Sequence, residues 1–456
     1  MEKILERIEA IVWGPTLIIL ILFTGFYLTF RLRGLQFTKI AYILKNTLLK
    51  MFHKANLKDG EVSPFQAVAT ALAATVGTGN IVGVATAIIA GGPGAVFWMW
   101  LAALVGMATK YAEVVLAVAY REKKANGQYA GGPMYYIDKG LGLSWLGRLF
   151  AFFAAVATFG IGNTTQANAI AGVLHGNFNL PRLPVGLVLA GLVALVVMGG
   201  IKSISKVAEK LVPFMSLFYI VGGLLVLVVN YANVPAAFMS IFQNAFKFKA
   251  VGGGALGFTM MMAIRAGISR GIFTNEAGLG SSPIAQASAA VDHPVRQGLW
   301  GVFEVLVDTI FVCTITSLVI LSSGVLDYCQ DASILASEAF STGFGPGKYI
   351  VSVGLVLFAY STILGWEYYG ETSIAYLLGD RVRLPYRLVY VLAVVLGAVA
   401  DLGLAWDVAN ILNGLMAFPN LIGLIGLTNV VVALSKDFFK DPDRIRESPG
   451  DYQNLL

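Results

Sequence analysis

Two clusters of glycine and polar residues interrupt stretches of the chain that are otherwise apolar. The first, residues 75–80, reads TVGTGN, and the second, residues 269–289, reads SRGIFTNEAGLGSSPIAQASA. Glycine weakens a helix and proline removes a hydrogen-bond donor, so neither cluster is compatible with one continuous helix. Backbone groups freed at such breaks, together with the hydroxyl and amide side chains, can bind a small polar solute or an ion.

The elements that position these clusters are membrane helices. Hydrophobic residues make up 57 % of the 456-residue chain and charged residues only 13 %, whereas a soluble domain carries about 25 % charged residues. Several apolar runs exceed the roughly 20 residues that span a bilayer. Irregular backbone at that depth occurs only where protein buries it or a watery cavity receives it. The composition therefore predicts an all-α membrane protein with both clusters in its interior.

Eleven apolar segments are predicted, and the two clusters lie in the second and the seventh. Segments 1 to 11 span residues 11–30, 64–90, 94–120, 147–175, 184–200, 207–230, 254–290, 297–322, 347–378, 386–403 and 407–434. Segments 2–6 and 7–11 are two sets of five, so the second set must run with inverted topology. Interrupted segments at matching places of two halves are typical of a transporter binding site.

Lysine and arginine orient the chain. With the N-terminus outside, 23 of the 32 basic residues fall on the inside and six on the outside, which predicts a multi-pass cell-membrane protein with a cytoplasmic C-terminus. The predicted organisation is an extra N-terminal helix (1–34), an amphipathic cytoplasmic connector (35–62), a first five-helix repeat (63–230), an extracellular connector (231–253), a second repeat (254–435) and a cytoplasmic tail (436–456).

Residues 91–106 read GGPGAVFWMWLAALVG, which resembles the signature of the sodium:alanine (alanine/glycine:cation) symporter family. The cluster at residues 269–289 resembles a second stretch typical of that family, and the resemblance covers essentially the full length. The family belongs to the amino acid–polyamine–organocation group. The resemblance therefore implies a LeuT-like fold with a five-plus-five inverted repeat, coupling to sodium or protons, and transport by alternating access.

A small neutral amino acid, such as alanine or glycine, is the substrate that the resemblance implies. Its carboxylate is expected at the backbone N–H groups of residues 77–80, where a half-helix begins, and its ammonium at carbonyls of residues 271–275. Gln166 is expected to contact the substrate, and Phe273 and Trp366 to wall the pocket, although interhelical bonding and packing are the alternatives. The predicted substrate-binding residues are Thr75, Gly77, Thr78, Gly79, Asn80, Gln166, Gly271, Phe273, Thr274, Asn275 and Trp366.

Sodium is the expected coupling ion, because it prefers hard oxygen ligands and the chain offers hydroxyl and carbonyl oxygens that fit this preference. Segment 9 carries the adjacent hydroxyls of Ser361 and Thr362. In LeuT-like proteins a matching pair joins carbonyls of the first broken helix, which are those of Ala73 and Val76 here. Proton coupling is the main alternative, since acids within apolar segments are costly unless they are paired. These acids are Glu113, Glu276, Glu304, Asp308, Glu367 and Glu371. Structural pairing is the expected role of these acids, and spacing offers Lys110 as the partner of Glu113 and Arg265 or Arg270 as the partner of Glu276.

Other function classes fit less well. The net charge of +6 follows from the positive-inside pattern and does not indicate nucleic acid as a partner. Two cysteines and three dispersed histidines give no metal site or catalytic set, so an enzyme and a cofactor are not expected. A channel would favour a repeated filter with rings of charge. We expect a monomeric carrier whose partners are the amino acid, Na⁺ and membrane lipid.

Overall fold

The apolar segments must satisfy their backbone hydrogen bonds internally, and they do so as helices. A computed structural model gives the structure over residues 2–51, 61–124, 127–246, 256–343, 345–400 and 403–445. These ranges also hold one antiparallel strand pair, Glu122–Lys123 with Tyr129–Ala130. In order, segments 1 to 6 contain the helices Glu2–Val12 with Pro15–Arg31, Pro64–Thr75 with Val82–Gly91, Gly94–Ala119, Ser144–Phe159 with Thr165–Phe178, Arg182–Val197 and Gly200–Val229.

The second set of segments is also helical. In order, segments 7 to 11 contain the helices Leu256–Asn275 with Ser282–Gln286, Pro294–Val305 with Thr314–Ser322, Gly347–Leu378, Arg383–Val399 and Gly403–Gly426. Short π-helical stretches at Gly160–Thr164 and Leu306–Cys313 join the two helices of segment 4 and the two of segment 8. Short 3₁₀ turns lie at Leu48–Lys50, Thr78–Asn80, Val325–Asp327 and Asp380–Val382.

Additional helices lie in the connections, and the sequence analysis did not foresee most of them. They are Leu35–Thr38, Ile40–Asn46, Pro133–Leu141, Val234–Ala245, Ala332–Gly343 and Thr428–Lys440. The predicted amphipathic connector is therefore divided into short pieces up to residue 51, and its residues 52–60 lie outside the described ranges. Segment 11 ends earlier than predicted, because the chain turns at Leu427 and begins a separate helix.

Eight helical stretches within the described ranges are long and apolar enough to cross a bilayer. They are Arg7–Arg31, Gly94–Ala119, Ser144–Phe178, Gly200–Val229, Pro294–Ser322, Gly347–Leu378, Asp380–Val399 and Asp407–Gly426. Two shorter apolar helices, Val82–Gly91 and Arg182–Val197, accompany them. The protein is thus an all-helical, multi-pass membrane protein, as the composition predicts.

Close backbone contacts hold the interrupted segments against their neighbours. A Cβ atom added to Gly267 would lie 2.1 Å from the carbonyl oxygen of Ala95, so segments 3 and 7 touch backbone to backbone. A Cβ atom added to Gly365 would lie 2.7 Å from the side chain of Ala74, which brings segment 9 equally close to segment 2. Lipid supplies no hydrophobic drive between helices, and small residues are what permit such approach.

Candidate substrate and ion site

The first break lies where helix Pro64–Thr75 stops and helix Val82–Gly91 has not yet begun. Val76 leaves the helical conformation with a ψ angle of 92°. The N–H of Gly77 donates to the side-chain oxygen of Asn80 at 2.9 Å, and the N–H of Asn80 donates back to the Gly77 carbonyl at 3.2 Å. One tight turn therefore interrupts the helix, and the positive end of the second half-helix faces this turn.

Asn80 fixes the turn to segment 8 rather than facing a cavity. Its side chain is fully buried, and its amide nitrogen donates to a carboxylate oxygen of Asp308 at 2.7 Å. The other carboxylate oxygen accepts from the hydroxyl of Thr309 at 2.8 Å. The Thr316 hydroxyl donates to the Asn80 carbonyl at 2.9 Å. Asp308, one of the acids for which the sequence offered no specific partner, is thus an anchor of the first break.

A cavity of about 550 Å³ reaches the first break from one side of the protein. Thr78, Gly79 and Phe273 contribute to it near the turn, while Asn177 and Ser352 line it towards the connections between segments 4 and 5 and between segments 8 and 9. These connections lie on the predicted outer side. Thr78, Gly79 and Phe273 are thus the members of the predicted substrate-binding set that line this cavity. The N–H groups of residues 77 and 80 are used inside the turn.

Three of the four predicted sodium ligands lie beside the same turn. The hydroxyl of Ser361 donates to the Ala73 carbonyl at 3.0 Å, and that of Thr362 donates to the Phe358 carbonyl at 2.9 Å. A Cβ atom added to Gly77 would lie 2.7 Å from the Thr362 hydroxyl oxygen, so this hydroxyl lies next to the backbone that follows Val76. Hydroxyl and carbonyl oxygens are hard ligands of the kind that Na⁺ prefers.

Gln166 and Trp366 are buried behind the cavity wall. Gln166 donates to the Ile161 carbonyl at 3.0 Å, across the π-helical stretch of segment 4. Trp366 packs against Gly162 of the same stretch and lies edge-on to Tyr369, with ring centres 5.5 Å apart. Trp366 therefore stabilises the contact between segments 4 and 9, whereas Gln166 bonds within segment 4, and neither is among the residues that line the cavity.

Other predicted residues bond within the helices that carry them. The Thr75 hydroxyl lies 3.4 Å from the Leu72 carbonyl, and the Thr274 hydroxyl donates to the Gly271 carbonyl at 3.0 Å. Gly271 packs against Met99 of segment 3. Thr274 nevertheless contacts the first break, because its methyl group would lie 2.9 Å from a Cβ atom on Gly79. The two broken helices thus touch where the cavity ends.

The second break, residues 276–281, is longer and carries more backbone strain. Three residues have left-handed φ angles: Glu276 at 55°, Gly278 at 94° and Gly280 at 84°. The Asn275 side chain caps this break by accepting from the Ala277 N–H at 3.0 Å, and it donates to the Thr309 hydroxyl at 3.1 Å. A non-glycine residue with positive φ is uncommon, so Glu276 marks a position that its surroundings impose.

Charged side chains surround the second break. Glu113 of segment 3 accepts from the Gly278 N–H at 3.0 Å and from the Asn420 amide at 2.6 Å. Glu304 of segment 8 accepts from the Ser282 hydroxyl at 2.7 Å. Lys110 has its ammonium 3.4 Å from Glu304, and both side chains are fully buried.

Two pairings expected from spacing are therefore corrected. Lys110 forms its ion pair with Glu304 of segment 8, not with Glu113 three residues along its own helix. Glu276 accepts from the Ser281 hydroxyl, while Arg270 lies over the ring of Phe273. Spacing along one helix does not reveal which neighbouring helix supplies the partner, so the sequence pointed to the charged residues but not to their pairs.

Hydrogen bonds close the protein on the side opposite the cavity. The Ala290 N–H donates to the Val62 carbonyl at 2.8 Å, next to the start of segment 2. Arg121 donates to the Ala287 carbonyl at 3.1 Å, and Gln297 donates to the Pro64 carbonyl at 3.2 Å. The ends of both broken segments are thus joined to each other and to segment 8, on the predicted inner side.

Comparisons with known proteins agree with this arrangement. The model of the "sodium:alanine symporter family" matches residues 1–450. The sodium/alanine symporter AgcS of Methanococcus maripaludis is 48 % identical over 445 residues, covering 96 % of this chain and 97 % of that protein.

Two Bacillus subtilis proteins are more distant relatives. The probable sodium/glutamine symporter GlnT is 37 % identical and covers 100 % of this chain and 95 % of its own. The putative sodium/proton-dependent alanine carrier protein YrbD is also 37 % identical and covers 96 % and 92 %. Both named amino acids are small to medium in size, and both names include sodium.

Proposed function

The chain belongs to the sodium:alanine symporter family, and from this premise we propose that it imports small neutral amino acids, chiefly alanine and glycine, together with Na⁺. The observation that carries the proposal is that the first break of segment 2, the end of the cavity and Ser361 of segment 9 lie together. The cavity ends at Thr78 and Gly79, and the Ser361 hydroxyl lies 3.0 Å from the Ala73 carbonyl directly beside it. The family is one of transporters, so the prediction that this chain is not an enzyme is confirmed.

Sodium binds, in this proposal, between the carbonyls of Ala73 and Val76 and the hydroxyls of Ser361 and Thr362. The hydroxyl groups would keep their protons and turn an oxygen lone pair towards the ion, and the Ala73 carbonyl would exchange its hydrogen bond from Ser361 for the ion. Since two ligands belong to segment 2 and two to segment 9, bound Na⁺ fixes these segments against each other. This is the coupling step, because the same turn of segment 2 presents its N–H groups to the substrate.

The amino acid binds at the inner end of the cavity. Its carboxylate meets the N–H groups of Thr78 and Gly79, where the positive end of helix Val82–Gly91 lowers its energy. Its ammonium faces the carbonyl end of helix Leu256–Asn275, and its short side chain lies against Phe273. A longer side chain is disfavoured by roughly 1–3 kcal/mol for each methylene that does not fit, so selectivity is graded. Gln166 and Trp366 complete the wall when the cavity closes.

The two ends of the site account for alternating access in this proposal, because one is open and the other is closed. The cavity gives entry from the predicted outer side, while the bonds from Arg121, Gln297 and Ala290 hold the predicted inner side closed. Transport requires the inner bonds to open after the cavity closes over the substrate. We further propose that the eleven segments form a five-plus-five inverted repeat after one extra N-terminal helix, in a monomer of the cell membrane with its N-terminus outside.

The decisive experiment measures uptake of labelled alanine by purified protein in liposomes. An inward Na⁺ gradient is expected to drive accumulation, because Na⁺ and substrate share one turn of segment 2. The variant with both Ser361→Ala and Thr362→Ala should lose this accumulation while it keeps its thermal stability in detergent. Accumulation by the double variant at the wild-type rate and Na⁺ affinity would show that the ion binds elsewhere.

Proton coupling is a second candidate, favoured by the buried acids at the second break. Glu113, Glu276 and Glu304 share one nearby ammonium, that of Lys110, and all four are buried. A relative is also named as a sodium/proton-dependent carrier. The same liposomes, given an inward proton gradient without Na⁺, distinguish the two ions. Accumulation under this gradient alone would favour proton coupling and exclude an obligatory role of Na⁺.

A further inference from the structure

Arg270 lies on the border between two cavities. It lines the cavity that ends at Thr78 and Gly79, and it also lines a second cavity of about 580 Å³ between segments 1, 2, 7 and 11. Thr86 and Phe273 are the other two residues that the cavities share. The side chain of Arg270 is half-buried at this border. An amino acid that enters by either route therefore passes this guanidinium before it reaches the first break.

The surroundings of Arg270 leave its charge available to a ligand. None of the described residues that line the first cavity is acidic, and Glu9 is the one acid among those that line the second. Glu9 attracts the Arg270 guanidinium electrostatically and also accepts a hydrogen bond from the amide of Asn410. The guanidinium of Arg270 lies over the face of Phe273, with 5.9 Å between its carbon and the ring centre. A guanidinium held over an aromatic face keeps its N–H groups free at its edge for a carboxylate.

Phe273 separates this guanidinium from the N–H groups of the first break. The edge of its ring would lie 3.4 Å from a Cβ atom on Gly79, while its face receives Arg270. Two groups that attract anions are thus arranged in series with one phenyl ring between them. One is a side-chain cation, and the other is the positive end of a half-helix.

We propose that Arg270 is the first binding position for the carboxylate of the incoming amino acid. The carboxylate pairs with the guanidinium through two parallel N–H···O bonds. It then moves past the Phe273 ring to the N–H groups of Thr78 and Gly79, and the ring closes behind it. Attraction to Arg270 raises the local concentration of substrate at the inner site. This inference rests on the proposed function, because the ligand is the transported amino acid.

The test compares the kinetics of Na⁺-driven alanine uptake in liposomes. Arg270→Gln is expected to raise the KM for alanine about tenfold, because a charge-assisted pair is lost, with no change in the affinity for Na⁺. Arg270→Lys keeps the charge without the planar fork and should recover part of the loss. Arg265→Gln is the matched control, since Arg265 is exposed on the same helix and lines only the second cavity.

A ligand without a carboxylate separates a binding role from a structural one. Alaninamide should inhibit wild-type protein and the Arg270→Gln variant with constants that agree within about twofold, because it lacks the carboxylate with which the guanidinium pairs. An unchanged KM for alanine in Arg270→Gln, or an equal loss for alanine and alaninamide, would overturn the proposal. Failure of the proposed function itself would be visible earlier, as absence of Na⁺-driven accumulation by wild-type protein.

Discussion

The two helix breaks are built from similar residues and lie in contrasting surroundings. The first, between Val76 and Ile81, borders a cavity, and its polar partners are hydroxyls, amides and the single acid Asp308. The second, residues 276–281, is buried, and Lys110, Glu113 and Glu304 surround it. The first break also turns without left-handed residues, whereas the second needs three.

Because their surroundings differ, the two breaks are expected to serve different functions. A break with unstrained backbone and mostly uncharged partners leaves N–H groups for a ligand, and binding there costs little rearrangement. A break held by buried charges is rigid while its charges remain paired, since separating such a pair in a low-dielectric interior is expensive. We therefore expect the first break to bind the substrate and the second to keep the inner side closed.

The largest expected effect is at the ion pair of the second break. Lys110→Met removes the ammonium 3.4 Å from Glu304 and leaves that carboxylate buried with the nearby Glu113 and Glu276. Breaking a buried pair by removing one partner costs about 3–5 kcal/mol. The variant should unfold at a much lower temperature in detergent, as followed by intrinsic fluorescence.

A second variant tests whether charge is the reason. Lys110→Met combined with Glu304→Gln removes both members of the pair, and the amide can still accept from the Ser282 hydroxyl. Most of the lost thermal stability should return. If the double variant is as unstable as Lys110→Met alone, the packing of the lysine stem matters and the electrostatic distinction between the breaks is lost.

A smaller effect distinguishes the two asparagines that cap the breaks. Asn80→Ala leaves the Gly77 N–H and Asp308 without their amide partner, and Asn275→Ala leaves the Ala277 N–H without an acceptor. Each unsatisfied buried group costs about 1–3 kcal/mol. Asn80→Ala should also weaken alanine binding at least about tenfold, a change of roughly 1.4 kcal/mol, while Asn275→Ala should lower stability without a comparable loss of affinity.

Equilibrium binding of labelled alanine to the purified variants measures this contrast, with thermal unfolding as the companion measurement. Equal losses of affinity in both variants would mean that Asn275 contributes to the substrate site as directly as the first break does. That outcome would restore the expectation from sequence, in which Asn275 belongs to the substrate-binding residues.

Much of this architecture could be predicted from the sequence, because glycine, proline and polar residues inside apolar runs have few explanations in a membrane. The break at residues 75–80 coincides with the end of helix Pro64–Thr75, and the neighbouring hydroxyls of Ser361 and Thr362 lie beside it. Eight helical stretches within the described ranges are long and apolar enough to span a bilayer, while the count of eleven spans stays a prediction. The partners of the charged residues could not be predicted, since Lys110 meets Glu304 only through the packing of segment 3 on segment 8. The buried position of Trp366 likewise depends on a π-helical stretch that no sequence pattern announces.

Alanine substitutions at one glycine of each break should produce different defects. Gly278 has a φ of 94°, and a side chain there costs roughly 1–2 kcal/mol, so Gly278→Ala should lower the unfolding temperature. Gly79 has negative φ but little space, because its added Cβ would lie 2.9 Å from Thr274 and 3.4 Å from Phe273. Gly79→Ala should reduce alanine uptake more than it reduces stability. The reverse pattern in the same two measurements would contradict the division of tasks.

The smallest expected effect is that of Glu113→Gln. This variant tests whether Glu113 or Glu304 carries the negative charge on which the stability of the second break depends. Glu113 uses one oxygen to accept from the Gly278 N–H and the Asn420 amide, both neutral donors. The amide oxygen of glutamine accepts these bonds equally, so Glu113→Gln should change the free energy of unfolding by no more than about 1 kcal/mol. Glu304 has a charged partner, so Glu304→Gln alone should cost several times more. Denaturation of the two variants side by side tests this order. A larger loss of unfolding free energy for Glu113→Gln would place the essential negative charge on segment 3. The inner closure would then depend on Glu113 rather than on the pair of Lys110 and Glu304.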